Sequence, residues 1–499
     1  MIDLTPEQTA PRIASLLSHS ESRTLDFKRV SGKMVGKALE TICAFANTEG
    51  GVLALGVADE KQGKGVDRLW GLQENPEALD ELIRKVRTQF HPAVEAIRFL
   101  RLPCKLRDDS AGHIVLVQVS QSDKVHSIVD DGTWTRLTAG NREMTAAEIS
   151  ELSYRRGVRS AESEPVAIDR GLLDTPVWAE FATTRGFNRT RPMMEQMAQL
   201  GLAEKVAGEW VPRRAAVLLF AEEPGGLLAA QGTRAEVRVV VYQGKAAEAG
   251  AKPNMKKPPR TLRGPLIRLI DETVRVVLDE LAAGVELASS GFKAHHRYPE
   301  RVVKEAIVNA IIHRDYRLNR DILVRIFDDR MEVDSPGVFP GNITPANIAK
   351  AGSKARNPLI AKTLRDFPVP PNFDLNEGVP MMFAEMATAH LYPPQYRQST
   401  EAANEGVTVT LLNMERPTIW DEVSDWIDRN GALANVDLCR IAGVDTLKAS
   451  KMLRAWVEQG LLEPLEGRAK RNMAYIKPAQ PAEQMNLLSE ELDNKPDNQ

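Results

Sequence analysis

The stretch ESRTLDFKRV, residues 21–30, decides the fold of the first part of the chain. Leu25 and Phe27 alternate with charged residues, as in a strand whose one face packs on an apolar core. The same period places Asp26 and Lys28 together on the opposite face. Such a pair suits phosphodiester chemistry, because a carboxylate can hold a hard divalent cation and an ammonium group can stabilise charge on the scissile phosphate.

The stretch ICAFANTEGGVLALGVADE, residues 42–60, continues the pattern. It predicts a helix ending at Asn47, a glycine turn, and a buried strand ending at Asp59. A carboxylate at that strand end is a natural third metal ligand. Glu21 lies five residues before Asp26, so an unbroken strand would point it away from Asp26, whereas a turn through residues 22–24 would bring both carboxylates to one metal. The expected catalytic set is therefore Glu21, Asp26, Lys28 and Asp59, with the three acids as ligands of Mg²⁺ or Mn²⁺.

Both stretches, with the later H-x-x-x-D-D-G-T-W-T-R of residues 126–136, resemble the Schlafen AlbA-type domain over roughly residues 15–150. The resemblance implies an α/β domain that handles nucleic acid. Some Schlafen proteins are divalent-metal endoribonucleases acting on tRNA and rRNA through three acids, and others are described only as DNA-binding regulators. Glu21 and Asp26 stand at the first two acidic positions, where Asp26 replaces the commoner glutamate. The alternative is that both are solvated charges at a strand edge, paired with Lys28.

The composition bounds the class of protein. A chain of 499 residues predicts two to four domains. The net charge is -3, so nucleic-acid binding has to rest on local basic patches. Three distant cysteines, Cys43, Cys104 and Cys439, argue against a disulfide framework or a cysteine-rich zinc site. We find neither a signal peptide nor an apolar run of the roughly 20 residues that span a bilayer, and expect a soluble, cytoplasmic protein with no membrane partner.

The middle of the chain carries a second constellation. Glu305 and Asn309 are four residues apart on a predicted helix and share its face. The run E-A-I-V-N-A-x-x-H-R-D-Y, then V-D-S-P-G, S-K-A-R-N-P-L-I and E-G-V-P-M-M-F-x-E-M, resembles the RecG-like ATPase-type domain over about residues 200–412. The resemblance implies a GHKL-like α/β sandwich that binds ATP. There the glutamate activates water, the asparagine reaches the Mg²⁺ of the nucleotide, and an aspartate followed by glycines receives the base.

Residue by residue, that resemblance assigns Glu305, Asn309, Asp334, Gly337 and Gly378 to the nucleotide and Asn309 to its metal. A second glycine near Gly337 is missing, and the lid glycines are reduced to Gly378. Binding without hydrolysis is therefore favoured over turnover. An exposed polar helix face is the alternative for Glu305 and Asn309. In the same region we predict strands at residues 213–224 and 235–244, and a hairpin at residues 322–337.

From Pro417 onward the pattern is helix, helix, turn, helix and hairpin, as in a winged helix-turn-helix. In the third helix, Leu447, Met452 (or Leu453) and Trp456 are expected to face the core. The outward-facing basic residues are expected to contact nucleic acid, as phosphate contacts from a recognition helix and a wing tip: Lys448, Lys451, Arg454, Arg468, Lys470 and Arg471. A protein-interaction or dimerisation module is the alternative.

The expected fold class is α+β multidomain. The predicted segments are a Schlafen/AlbA-type domain (1–155), a helical linker (156–200), a nucleotide-binding domain (201–415), a winged helix (416–478) and a disordered tail (479–499). The favoured function is a nucleotide-controlled, metal-dependent endoribonuclease acting on tRNA or other structured RNA in a bacterial defence setting, and forming a homo-oligomer. The alternatives are an ATP-sensing DNA-binding regulator without catalysis and an assembly scaffold.

Overall fold

The chain folds into two compact units, Met1–Arg159 and Ser160–Pro481. This computed structural model describes residues 2–3, 6–31, 34–188, 190–248, 253–288, 291–296, 298–341, 343–352, 354–371, 377–401, 403–465 and 473–478. Each unit combines helices with a mixed sheet, which confirms the predicted α+β multidomain class. The predicted disordered tail lies outside the described residues. Within these ranges no helix has the length and apolar character to span a bilayer.

The first unit is built on a sheet with the strand order β1-β5-β6-β3-β2. Its strands are β1 (Ile2–Asp3), β2 (Leu25–Lys28), β3 (Gly51–Leu55), β4 (Phe90–His91), β5 (Ile97–Lys105), β6 (Ala111–Val119), β7 (Ser127–Ile128), β8 (Trp134–Arg136) and β9 (Asn141–Glu143). Its helices are α1 (Pro6–Leu17), α2 (Met34–Asn47), α3 (Ala78–Thr88) and α4 (Ala146–Arg155). A capping box formed by Thr145 and Glu148 begins α4.

Apolar clusters cover both faces of this sheet, so the side chains on both faces of β2 are covered. Leu25 and Phe27 pack into the cluster on one face, with Leu16 of α1. The opposite face carries a second cluster built around α2 and α3. The predicted alternation along β2 is therefore correct, but the face that bears Asp26 is also covered.

The glycine turn between α2 and β3 is required by the fold. Gly50 has a φ of 81°, in the region that favours glycine. A Cβ at Gly51 would lie 2.8 Å from the ring of Phe45. The turn therefore serves close packing at this point, as the sequence predicts.

The second unit contains a six-stranded sheet of order β13-β12-β16-β17-β19-β18. Its strands are β10 (Ala203–Val206), β11 (Glu209–Pro212), β12 (Val237–Val241), β13 (Arg260–Leu262), β14 (Ala282–Ala288), β15 (Gly291–His296), β16 (Ile322–Ile326), β17 (Arg330–Pro336), β18 (Gln395–Ser399) and β19 (Gly406–Leu412). Its helices are α5 (Pro176–Thr184), α6 (Met193–Gln199), α7 (Arg214–Phe220), α8 (Pro224–Leu228), α9 (Leu266–Leu281), α10 (Glu300–Ile312), α11 (Pro358–Leu364) and α12 (Gly378–Thr388).

One sequence prediction in this unit is wrong. Residues 213–224 were expected to form a strand, yet α7 occupies Arg214–Phe220. Every residue of α7 is buried, so its apolar run lacks the polar face that marks a surface helix. A short continuous apolar run does not distinguish a buried strand from a buried helix. The predicted strand at 235–244 and the hairpin of β16 and β17 are present.

The C-terminal part of this unit consists of α13 (Ile419–Asn430), β20 (Leu433–Ala434), α14 (Asn435–Ala442), α15 (Thr446–Glu458), β21 (Glu463–Pro464) and β22 (Ala474–Ile476). This C-terminal helical module follows the predicted helix–helix–turn–helix–hairpin order. Trp456 is buried in its core, as expected, and of the two alternatives Leu453 is buried whereas Met452 is only partly buried. Leu447 is 67% exposed, because it lies in the first turn of α15, outside the stripe that contains Ala449 and Leu453.

Glu162 fixes the start of the second unit. Its carboxylate accepts hydrogen bonds from the backbone nitrogens of Leu359 (2.8 Å) and Ile360 (2.7 Å), at the beginning of α11. Ser160 donates to the carbonyl of Arg356 nearby. Burial raises the pKa of Glu162 from 4.5 to about 7, although both backbone donors favour the charged form. The segment that opens the unit is thus held to a segment almost 200 residues later in the chain.

The raised pKa of Glu162 predicts a pH-dependent stability. Because the folded pKa (about 7) exceeds the unfolded value (4.5), the stabilisation is complete below pH 4.5 and is lost as the pH rises through 7. The full effect is about 3 kcal/mol, at about 1.4 kcal/mol per pKa unit. We expect Glu162→Gln to flatten this slope in amide-exchange measurements on α11. The exposed Glu180→Gln should keep the slope; a Glu162→Gln variant that also keeps it contradicts the prediction.

Candidate functional site

Asp26 is buried in a network of donors in the first unit. Lys28 Nζ lies 2.7 Å from its Oδ2, and Thr41 Oγ1 of α2 donates to the same oxygen at 2.9 Å. Arg136 Nη2 of β8 lies 3.2 Å from Oδ1. Burial opposes ionisation, but Lys28 and Arg136 hold the pKa of Asp26 below its usual value. The Asp26 carboxylate is therefore a charged, fully bonded group.

Arg136 is the buried partner that links this network to the preceding turn. Its side chain is fully buried, and its guanidinium donates to the carbonyls of Ser22 and Leu25. Nη1 donates to Asn141. The Asp26–Arg136 pair thus fixes the chain where it enters β2.

Glu21 lies beside Asp26, as the sequence predicts. Its Oε1 accepts a hydrogen bond from the backbone nitrogen of Phe27 at 3.3 Å. Burial raises the pKa of Glu21, and the charges of Asp26 and Asp59 raise it further. The bend after Glu21 therefore brings the first two predicted acids together.

Asp59 is directed partly to a local cap and partly to a buried cation. It accepts a hydrogen bond from the backbone nitrogen of Lys61, at the start of a short 3-10 helix. Burial lowers the pKa of Arg68, and the charges of Asp59 and Glu21 counteract this effect. Arg68 lies over the Phe27 ring at 4.2 Å, and its Nη2 has no hydrogen-bond partner among the described residues. Glu21 and Asp59 therefore balance a buried guanidinium.

The predicted metal centre does not fit this arrangement. Both oxygens of Asp26 already have partners, and the Lys28 ammonium lies where a shared cation would approach. Among the described residues, no three histidine, cysteine, aspartate or glutamate side chains are arranged to hold a metal ion. A divalent ion here would have to displace Lys28 from Asp26.

A cavity of about 390 Å³ in the second unit gathers most of the predicted nucleotide residues. Glu305 and Asn309 reach it from α10, Gly337 from the end of β17, and Gly378 from the start of α12. Asn309 Nδ2 donates to Glu305 Oε1 at 2.9 Å, so its carbonyl oxygen is directed away from that bond. Burial raises the pKa of Glu305, while Asn309 opposes the shift.

The two predicted glycines are needed for close contacts around this cavity. A Cβ at Gly378 would lie 1.9 Å from Glu305 Oε1. Gly337 has a φ of 101°, and a Cβ there would lie 2.6 Å from Cβ of Asp315. Gly378 thus lets α12 approach Glu305, whereas Gly337 serves the packing against Asp315.

Asp334 does not line the cavity, in contrast to the prediction. Its carboxylate contacts Arg320 Nη2 at 3.5 Å and Thr408 Oγ1 at 3.3 Å. Val333 and Ser335, its neighbours along β17, line the cavity instead. Successive strand residues point to opposite faces, so the side chain of Asp334 points away from the cavity that Val333 and Ser335 line.

Several cavity residues escaped the sequence analysis. Arg301, Lys304 and Lys354 add positive charge to a wall that also contains Ile343, Ile348 and Val407. Basic and apolar residues together suit a ligand with a phosphate end and a flat apolar ring. The alternation along β17 that turns Asp334 away from the cavity places Ser335 on the cavity side.

The predicted basic residues of α15 are exposed. Lys448, Lys451 and Arg454 lie on its outer surface, opposite Leu453 and Trp456. Arg468, Lys470 and Arg471, predicted for the wing tip, lie outside the described residues. The described part of the helix therefore presents a basic surface to solvent.

Comparisons with known proteins match two parts of the chain. Residues 21–145 match the family model "Schlafen, AlbA_2", and residues 319–411 match "Putative ATP-dependent DNA helicase recG C-terminal". The chain thus contains a Schlafen AlbA_2 domain and a RecG-like C-terminal domain, as the resemblances indicate. The second match begins after α10, so Glu305 and Asn309 lie outside it. A search of curated proteins found no match.

Two solved structures are similar to the chain. One is the DIP2311 protein from Corynebacterium diphtheriae, with 17% identity and a TM-score of 0.38, covering 94% of this chain and 97% of that one. The other is the N-terminal domain of a putative ATP-dependent DNA helicase RecG-related protein from Nitrosomonas europaea. It has 25% identity and a TM-score of 0.20, and the match covers 28% of this chain and 90% of that one.

Proposed function

We propose that the protein is a nucleotide-binding, nucleic-acid-handling protein, with ATP and its Mg²⁺ held in the cavity of the second unit. One observation carries the proposal: Glu305, Asn309, Gly337 and Gly378 come from three separate segments and line one cavity. The description of the matched family, which names an ATP-dependent helicase, supports a nucleotide as the ligand.

The roles of the cavity residues follow from their positions. Asn309 offers a carbonyl oxygen, because its nitrogen is bonded to Glu305. A divalent ion carried by the triphosphate would neutralise charge between the phosphates. Arg301 and Lys304 lie on the same wall and would attract the phosphate end, and the apolar residues would exclude water from the base.

Nucleic-acid binding is proposed for the first unit and for α15 of the C-terminal helical module, which we interpret as a winged helix. The Schlafen AlbA_2 match supports the first. The exposed Lys448, Lys451 and Arg454 support the second, since phosphate contacts supply most of the sequence-independent affinity for nucleic acid. A homo-oligomer stays a prediction, to be checked by light scattering.

A metal-dependent endoribonuclease with a defence role is the second candidate. It is favoured by the proximity of Asp26 and Asp59 to Glu21, since the charges of both raise the pKa of Glu21. Against it stand the occupied oxygens of Asp26. We therefore favour binding, controlled by nucleotide, over cleavage.

One experiment separates these functions. We expect the full-length protein to retain tRNA or duplex DNA in gel shifts, with no cleavage in Mn²⁺ or Mg²⁺. A Lys448→Ala/Lys451→Ala/Arg454→Ala variant should bind about tenfold more weakly and with a shallower salt dependence. Arg429→Ala, an exposed residue of α13, is the control. Cleavage that disappears in Glu21→Gln would replace the binding proposal with the endoribonuclease.

A further inference from the structure

A second cavity in the second unit, of about 540 Å³, lies apart from the proposed nucleotide site. Its lining residues come from α8, β12, β13, the segments next to them and the segment before β16, and none of them lines the first cavity. Three arginines contribute to it: Arg234, Arg238 and Arg263. No sequence motif or family match assigns a role to this cavity.

The sheet register places two of these arginines on one face. Val237 of β12 pairs with Leu262 of β13, and both side chains are buried in the core. Arg238 pairs with Thr261, so it lies on the opposite face. Arg263 follows Leu262 and lines the same cavity as Arg238. Arg238 and Arg263 therefore line the same cavity from the same face of the sheet.

The acidic residues of the cavity already balance other cations. Asp321 lies 3.3 Å from Arg234, which also donates to Asn319. Glu236 accepts a hydrogen bond from the backbone nitrogen of Ala235. Burial lowers the pKa of Arg314, a fully buried residue, and the charges of Asp321 and Glu236 counteract this. The negative charges of Asp321 and Glu236 are thus balanced by the positive charges of Arg234 and Arg314.

Arg238 and Arg263 are left without acidic partners. In the part of the chain that the structure describes, neither forms an ion pair, and the buried Nε of Arg238 has no hydrogen-bond partner. A guanidinium with unused donors is the group that proteins use most often to bind phosphate with two parallel hydrogen bonds.

Gly225 and Gly226 form a part of the cavity wall that carries no side chains. A Cβ at Gly225 would lie 2.4 Å from Glu236 Oε1, so a side chain there would displace the Glu236 carboxylate. Gly226 has no atom within 4 Å of its Cβ position and therefore borders open space. A ligand can thus approach the arginines past backbone alone.

From this geometry we infer that the second cavity binds a phosphate group, with Arg238 and Arg263 as its direct contacts. The phosphate is either that of a small anion or that of a nucleic-acid chain, since a monoester and a diester offer the same oxygens to a guanidinium. The site is independent of the nucleotide cavity, so it does not depend on the proposed function.

Isothermal titration of the full-length protein with inorganic phosphate tests this inference. We expect Arg238→Ala and Arg263→Ala each to weaken binding about tenfold, as loss of a charge-assisted bond requires. Arg260→Ala, on β13 but outside the cavity, should bind as the unchanged protein does.

A second arm identifies the source of the phosphate. If a 5′-phosphorylated RNA binds more tightly than its 5′-hydroxyl form, and Arg263→Ala removes the difference, the site takes a terminal phosphate. If the two RNAs bind equally and inorganic phosphate displaces them, the site takes the diester backbone. If Arg263→Ala leaves RNA binding unchanged, the site takes a small anion. Equal phosphate affinity in the unchanged protein, Arg238→Ala and Arg263→Ala overturns the inference. Because Arg263 is exposed, its variant is not expected to disturb folding.

Discussion

Replacing Asp26 with alanine is expected to destabilise the first unit by about 3–5 kcal/mol, the cost of leaving a buried charge without its partner. The reason is Arg136, whose side chain is fully buried and whose nearest carboxylate is Asp26. Lys28 loses the same partner, but its side chain is 20% exposed and can turn towards water. Amide exchange in β2 of the full-length protein measures the effect locally.

Two further variants show whether the loss is electrostatic. Glu95→Ala removes an exposed ion pair with Lys124 in the same unit and should cost less than about 1 kcal/mol. An Asp26→Leu/Arg136→Met double variant should recover part of the loss, with a coupling energy of about 1–3 kcal/mol. A double variant whose loss equals the sum of the single losses would show that the pair does not stabilise the fold through its charges.

This prediction also bears on any nuclease assay. An Asp26→Ala variant that lacks activity has lost a structural ion pair, so its inactivity says little about chemistry. Glu21 is the better position, because it is only partly buried. Glu21→Gln keeps its size and its acceptor for Phe27.

Replacing Gly378 with valine is expected to reduce the affinity for Mg-ATP at least 100-fold, or by about 2.7 kcal/mol. A Cβ alone would lie 1.9 Å from Glu305 Oε1, so Glu305 or the start of α12 must move. Either movement disturbs the bond from Asn309 to Glu305 and fills part of the cavity. Calorimetry with Mg-ATP measures the loss.

Gly352→Ala is the matched control for Gly378→Val. Gly352 also borders the cavity, but no atom lies within 4 Å of its Cβ position. We expect its affinity for Mg-ATP to change less than about threefold. Equal affinities in Gly378→Val and the unchanged protein would mean that the nucleotide does not occupy this cavity.

The sequence predicted the local patterns of the site better than their surroundings. Alternation along β2 correctly separated Leu25 from Asp26. The burial of Asp26 could not be predicted, because it depends on Arg136, which lies 110 residues later in the chain. Long-range partners of this kind leave no periodic signal in the segment that they cover.

The errors in the second unit have identifiable physical causes. Along β17, Met331 and Val333 point to the buried face of the sheet. Asp334 follows Val333 directly, so its side chain points to the opposite face. The run at α7 is buried on all sides, so its residues carry no period from which a helix could be recognised. Helical spacing predicts a core position for Leu447, which instead lies in the first turn of α15, outside the stripe that contains Ala449 and Leu453.

The bonds from Glu162 to Leu359 and Ile360 have a practical consequence for dividing the chain. A fragment that starts at the RecG-like match, residue 319, would leave the amino end of α11 without its acceptor. Even a start at residue 165 would omit Ser160 and Glu162. Truncation for crystallisation or binding studies of the second unit should therefore begin before Ser160, at the boundary that the contacts define.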